Sequence, residues 1–214
     1  VLTDVLANRA AELSAHQTLT QEQETWGSIA QLAAEYETIA AAAQRDRWAT
    51  ILRASELTAD QVDDVLASDA FSPLAAELRR AEANGHDVDR LLPAAVSRHG
   101  LDDAEDIAAV LRHRVQLATS QRVRGRSPRA RLIVGLIPEA VGPMAPDMRH
   151  ALDERRDLIE QRARALAETA IQKRDPWVKR LGDPPVTDRT HWTRAVVIIA
   201  AYRDRYGITA PLPL

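Results

Sequence analysis

Cysteine is absent from all 214 residues, which excludes a disulfide framework and any thiolate metal site. That absence suits a reducing, cytoplasmic setting. Lysine occurs only at Lys173 and Lys179, so nearly every cation is an arginine, a bias that accompanies high-GC coding. Aromatic residues make up 4% of the chain, so its core must be mainly aliphatic and alanine-rich. The longest wholly apolar run, residues 195–202, is far short of the roughly 20 residues a membrane helix needs, and no membrane insertion is expected. The opening VLTDVLANRA has neither the basic n-region nor the apolar h-region of a signal peptide. Because it starts at Val1, the chain reads as a fragment of a longer protein.

Motifs that carry chemistry are missing too. There is no G-x-x-x-x-G-K-[ST] phosphate loop and no G-x-G-x-x-G following a strand. His16, His86, His99, His113, His150 and His191 never pair at a metal-ligand spacing. No G-x-S-x-G elbow occurs. An enzyme built from residues distant in sequence stays open, but no catalytic residue, cofactor or metal ligand can be named. With 28 Lys+Arg against 31 Asp+Glu, the net charge of -3 provides no global field for nucleic acid.

What is present is helical periodicity. Ile29, Leu32, Ala33, Tyr36, Ile39, Ala40 and Ala43 lay one apolar stripe along a helix. This helix spans residues 25–54 as one rod or breaks near the polar residues 44–46. An earlier helix over residues 4–15 would form a hairpin with it, through a turn leading to the Thr20 cap. Thr58 caps a short helix, Ser72-Pro73 starts another, and Asn84-Gly85 ends that one. Asp87 starts the next, ended by His99-Gly100, and the carboxylates Asp102, Asp103, Glu105 and Asp106 sit in the first turn of a further helix. The pattern fails over residues 121–145. There the apolar run 132–137 has no strand partner and is expected to pack as an extended crossover. Helices over residues 146–173 and 188–206 follow, the first with Arg156–Glu160 and Glu160–Arg164 pairs outside. The expected fold is all-α, a bundle of seven or eight helices. Residues 1–120 form its N-terminal part, 121–145 an irregular basic segment, and 146–214 a helical pair that packs on the bundle or forms a subdomain.

Residues 72–115, 148–168 and 177–209, with the opening 1–18, together resemble the region downstream of the helicase part in actinobacterial conjugative relaxases of the MobF type. The most specific stretch is WTRAVVIIAAYRDRYGI, residues 192–208. The resemblance implies a large parent protein that nicks and unwinds plasmid DNA. In that family the catalytic tyrosine, the metal-binding histidines and the Walker motifs belong to earlier domains, and none matches a position here. It implies a non-catalytic C-terminal accessory domain acting by protein–protein contact. Its partners would be the other domains of the parent, relaxosome proteins, or the coupling protein and secretion apparatus.

Two clusters are candidates for contact. Arg122, Arg124, Arg126, Arg129 and Arg131 surround Gly125 and Ser127-Pro128 and would neutralise DNA phosphates in a sequence-blind, salt-dependent way. The lack of an interleaved aromatic to stack on a base weakens that reading, and a solvated, arginine-rich loop is the plainer account. Such an auxiliary DNA-binding module, or a regulatory domain folded back on the helicase, are the alternative functions. In the run from Tyr202 to Gly207, Arg203 and Arg205 would offer a docking surface. Against this, the spacing of Trp192, Tyr202 and Tyr206 favours buried core anchors. Capping accounts for the acidic residues 102–106 without a cation site.

Overall fold

A computed structural model describes residues 27–98, 100–101, 103–120 and 130–213. They form α1 (Ile29–Arg53), α2 (Ala59–Ala67), α3 (Phe71–Ala83), α4 (Val88–Val96) and α5 (Ile107–Ser120). A hairpin of β1 (Leu132–Ile133) and β2 (Ile137–Pro138) follows, then α6 (Pro146–Lys173), α7 (Pro176–Lys179) and α8 (Arg189–Arg205). The chain is all-α, as its periodicity requires. The expected helix over residues 4–15, the Thr20 cap and their hairpin lie outside the described residues.

The stripe from Ile29 to Ala43 becomes α1, capped by Ser28, whose hydroxyl accepts the Gln31 N–H at 3.2 Å. This helix does not break at residues 44–46. Gln44 is fully buried there, and its side-chain amide donates to the Val141 carbonyl at 3.0 Å. What reads as a polar gap in the stripe is a tether to the segment after β2. The unbroken helix, about 37 Å long at 1.5 Å per residue, serves two cores. Trp48 and Leu52 pack with Val62, Val65, Leu74, Leu78, Leu92 and Leu111 of α2–α5. Ile29, Ala33, Tyr36 and Ala40 pack with the hairpin, α6 and α8 through Ile133, Ile137, Ile159, Ala163 and Ala201. A third cluster, including Ala167, Ala170, Trp177, Val196 and Ala200, joins α6 to α7 and α8. The expected boundaries at residues 120 and 146 fall between helices, while α1 belongs to the cores on both sides of them.

Most helix ends follow local chemistry. Thr58 and Gln61 close a reciprocal capping box, and Asp87 and Asp188 accept the Arg90 and His191 N–H groups. Gly85, at φ +86°, lets the His86 N–H reach back to the Ala81 carbonyl at 3.0 Å. The starts of α3 and α5 differ from expectation, α3 having no side-chain cap and α5 being capped by the last of its expected acids. The loop entering α3 is held by Ser68, whose hydroxyl accepts the Ala70 N–H at 2.9 Å, so α3 begins at Phe71 rather than behind a Ser72 cap. Asp103 and Glu105 precede α5 instead of occupying its first turn. Asp106 caps that helix, accepting the Ala109 N–H at 3.1 Å with one oxygen and the Ser68 hydroxyl at 2.9 Å with the other.

The run 132–137 is not an unpaired crossover. It folds back on itself, with Leu132 opposite Pro138 and Ile133 opposite Ile137. The Leu136 N–H closes the turn on the Ile133 carbonyl at 3.0 Å, with Val134 and Gly135 at φ +44° and +74°. A Cβ on Gly135 would lie 3.0 Å from Ile198 Cδ1, so the turn is seated against α8. The paired Ile133 and Ile137 share one face and are buried in the second core. The hairpin is anchored on α3 by the Arg131 N–H to the Ala83 carbonyl at 2.8 Å. The segment after it is anchored on α1, where the Ala140 N–H donates to the buried Tyr36 hydroxyl at 2.8 Å.

Candidate interaction groove

Of the arginines expected to form a basic arm, Arg122, Arg124, Arg126 and Arg129 lie outside the described residues. Arg131 is exposed at the foot of the hairpin, where its carbonyl accepts the Glu139 N–H at 3.0 Å. Arg203 turns onto the chain itself. Its guanidinium donates to the Leu212 carbonyl and, at 2.6 Å, to that of Ala210, and lies 5.4 Å from the centre of the Trp177 ring. Arg205 donates to Glu37 at 3.1 Å. Both arginines therefore tie α8 to its surroundings.

The expectation that Trp192, Tyr202 and Tyr206 are buried anchors requires correction. Tyr206 is 57% exposed, its ring lying 4.6 Å from that of Tyr202, and Trp192 and Tyr202 are only partly buried. The buried face of α8 is Val196, Ala200 and Ala201. Against the small residues Ala163, Ala167 and Ala170 of α6, these let two helices approach closely where large rings would hold them apart. The outer ion pairs of α6 also differ in part. Arg164 pairs with Glu160 at 2.7 Å as expected, but Arg156 turns to Asp153, Asp157 and Glu139.

Beside the alanine contact, α6 and α8 leave an open groove of about 610 Å³. Arg164, Ala167, Glu168 and Ile171 fall at i, i+3, i+4 and i+7 and so share one face of α6. Arg189, Thr190, Thr193, Arg194 and Val197 face them from the first turns of α8. The floor is apolar (Ala167, Ile171, Val197), and three arginines and one glutamate stand on the walls. Lys173 and Arg174, both exposed, end α6 beyond the residues that line the groove. Among the described residues, neither Arg189 nor Arg194 has an ion-pair or hydrogen-bond partner.

The groove escaped sequence reasoning for a physical reason. Its walls come from helices separated by α7 and a proline-containing loop, and neither wall carries a motif. The available signal was the placing of Arg189, Thr193 and Arg194 off the apolar face of α8, which by itself reads as a solvated helix surface.

A different polar cluster lies between α1 and α3. Arg79 is 4% exposed, and burial pulls its guanidinium below its ordinary value, with the charge of Glu37 opposing. Burial likewise pushes up the Tyr36 phenol, against the hydrogen bond from Ala140, and the Glu82 carboxyl, against its partner Arg47 at 2.7 Å. The Arg47–Glu82 pair holds α1 to α3, and the Tyr36 hydroxyl holds α1 to the segment behind the hairpin, while Arg79 is buried between them with Nε and Nη1 lacking hydrogen-bond partners. Among the described residues, no group of three or more His, Cys, Asp or Glu is placed to hold a metal ion, and no helix is long and apolar enough to cross a membrane.

No protein-family model, curated protein or solved structure matches the chain.

Proposed function

We propose that this chain is a non-catalytic accessory domain of a conjugative relaxase-helicase. It acts in the cytoplasm during plasmid DNA transfer, by contact with relaxosome proteins, the coupling protein or the secretion apparatus. The observation that carries the contact role is the open groove between α6 and α8. An apolar floor with arginines and threonines on the walls suits a partner segment laid along it, since side chains bury at the centre and polar groups meet at the rim. The conjugative setting rests on the resemblance. Its residues 72–115 supply α3, α4 and the first part of α5, its residues 148–168 most of α6, and its residues 177–209 all of α8.

The test is made in the relaxase-helicase that carries this chain. Removal of residues 27–213 is expected to abolish transfer between cells while strand nicking and duplex unwinding by the purified protein persist. Unchanged transfer overturns the reading. Loss of unwinding makes the segment a regulatory part of the helicase instead. Salt-sensitive binding of DNA by the chain, lost when Arg122, Arg124, Arg126, Arg129 and Arg131 become alanine, makes it an auxiliary DNA-binding module.

A further inference from the structure

We infer that the α6–α8 groove receives an acid-flanked amphipathic helix of a partner protein, an inference that rests on the contact role proposed above. Three features of the groove point to that chemistry. First, its walls are two helices. Arg164 to Ile171 spans about 10 Å along α6, the length of two helical turns, so an incoming helix would set an i, i+3, i+7 apolar row against the floor. Second, the floor at Ala167 is small, which lets a backbone come close, while Ile171 and Val197 offer aliphatic surface to bury. Third, the charge is one-sided. Arg189 and Arg194 line the α8 wall without partners among the described residues, Arg164 stands on the α6 wall, and Glu168 is the single acid lining the groove. A partner helix carrying Asp or Glu beside its apolar row satisfies Arg189 and Arg194, while Arg164, already paired with Glu160 at 2.7 Å, adds positive charge on the opposite wall. One carrying Lys meets like charge and is disfavoured. A phosphate backbone would match the arginines but leave Ile171 and Val197 facing a polar strand, so duplex DNA is the poorer fit.

The probe is a fluorescent, covalently stapled helical peptide of about 15 residues with a leucine row and glutamate flanks, titrated against the 214-residue chain by fluorescence anisotropy. Its control carries the same leucine row with lysine flanks. The glutamate peptide is expected to bind about tenfold tighter than the lysine peptide, and added salt should narrow the gap. The double variant Arg189→Glu/Arg194→Glu changes two exposed residues and is expected to invert the preference. Thr193→Trp, which fills the groove from an exposed position, is expected to abolish binding of both peptides. Circular dichroism confirms that each variant keeps its helices. Equal binding of the two peptides, or binding indifferent to these substitutions, overturns the inference. So does displacement of the peptide by duplex DNA acting through the same arginines. If no peptide binds while deletion of residues 27–213 still abolishes transfer, the groove assignment falls and the contact role stands. If the glutamate peptide binds as expected but deletion leaves transfer intact, the groove's chemistry stands and the conjugative role falls.

Discussion

Gly142 has φ +89°, and a Cβ built there would lie 2.4 Å from Arg47 Nη1, the atom that pairs with Glu82. Gly207 has φ +61° with nothing within 4 Å of its Cβ position. The two glycines separate conformational cost from steric cost. Gly207→Ala should lose about 1 kcal/mol of unfolding free energy, the backbone penalty alone. Gly142→Ala should lose more, about 2–3 kcal/mol, because the guanidinium of the partly buried Arg47–Glu82 pair must also move. Urea melts of both variants check the ranking, and equal losses would show that Arg47 yields freely. Tyr36 allows a sharper test at the same scale. Tyr36→Phe leaves the buried Ala140 N–H without its acceptor and should cost about 1–3 kcal/mol at neutral pH. Burial raises the Tyr36 phenol above its ordinary value of 10.0, so the folded protein keeps a proton that the unfolded chain sheds. The corresponding stability is fully present below pH 10 and is lost as pH rises through the folded-state value. The phenylalanine variant should lack that part of the alkaline decline, so the gap between the two proteins narrows as pH rises above 10.

At the scale of elements, the start of α5 and the entry to α3 are one construction. Ser68 holds the Ala70 N–H and donates to Asp106, which in turn holds the Ala109 N–H. Asp106→Ala should cost about 1–2 kcal/mol, and Asp106→Asn less, since the amide oxygen still caps α5. With Ser68→Ala, the double variant should cost less than the sum of the two single ones by at least about 0.5 kcal/mol, which a denaturation cycle measures. Strict additivity would show the two helix starts to be independent. This pairing also explains what sequence can and cannot show. Thr58, Asp87, Asn84-Gly85 and the span of α6 were legible, because each depends on residues within a few positions. The sequence leaves a rod and a break at Gln44 equally open because the partner that settles it, Val141, lies 97 positions away. The run 132–137 looked unpaired because a turn with Val134 at positive φ carries no Asn-Gly or Asp-Gly signal. The groove was invisible for a related reason, since it exists only once α6 and α8 are packed.

Across the whole molecule, α1 couples two cores, one built with α2–α5 and one with the hairpin, α6 and α8. Damage in the first should therefore be felt in the second. Leu78→Ala, at a fully buried site of the first core, should cost about 2–5 kcal/mol. It should also lower amide-exchange protection in α6 and α8, though no residue of either helix touches Leu78 through that core. Protection in α6 and α8 that matches the parent chain would mean that α1 separates two independently unfolding halves.

Where the chain enters and leaves this body has a mechanical consequence. The Ile29 N–H, at the first turn of α1, donates to Asp204 at 2.7 Å, and the neighbouring Arg203 holds the carbonyls of residues 210, 212 and 213. Both flanks are thus fastened to the last turn of α8. A pull applied between residues 28 and 213 loads that turn together with Ile29 of the second core, while the first core hangs beside the line of tension rather than within it.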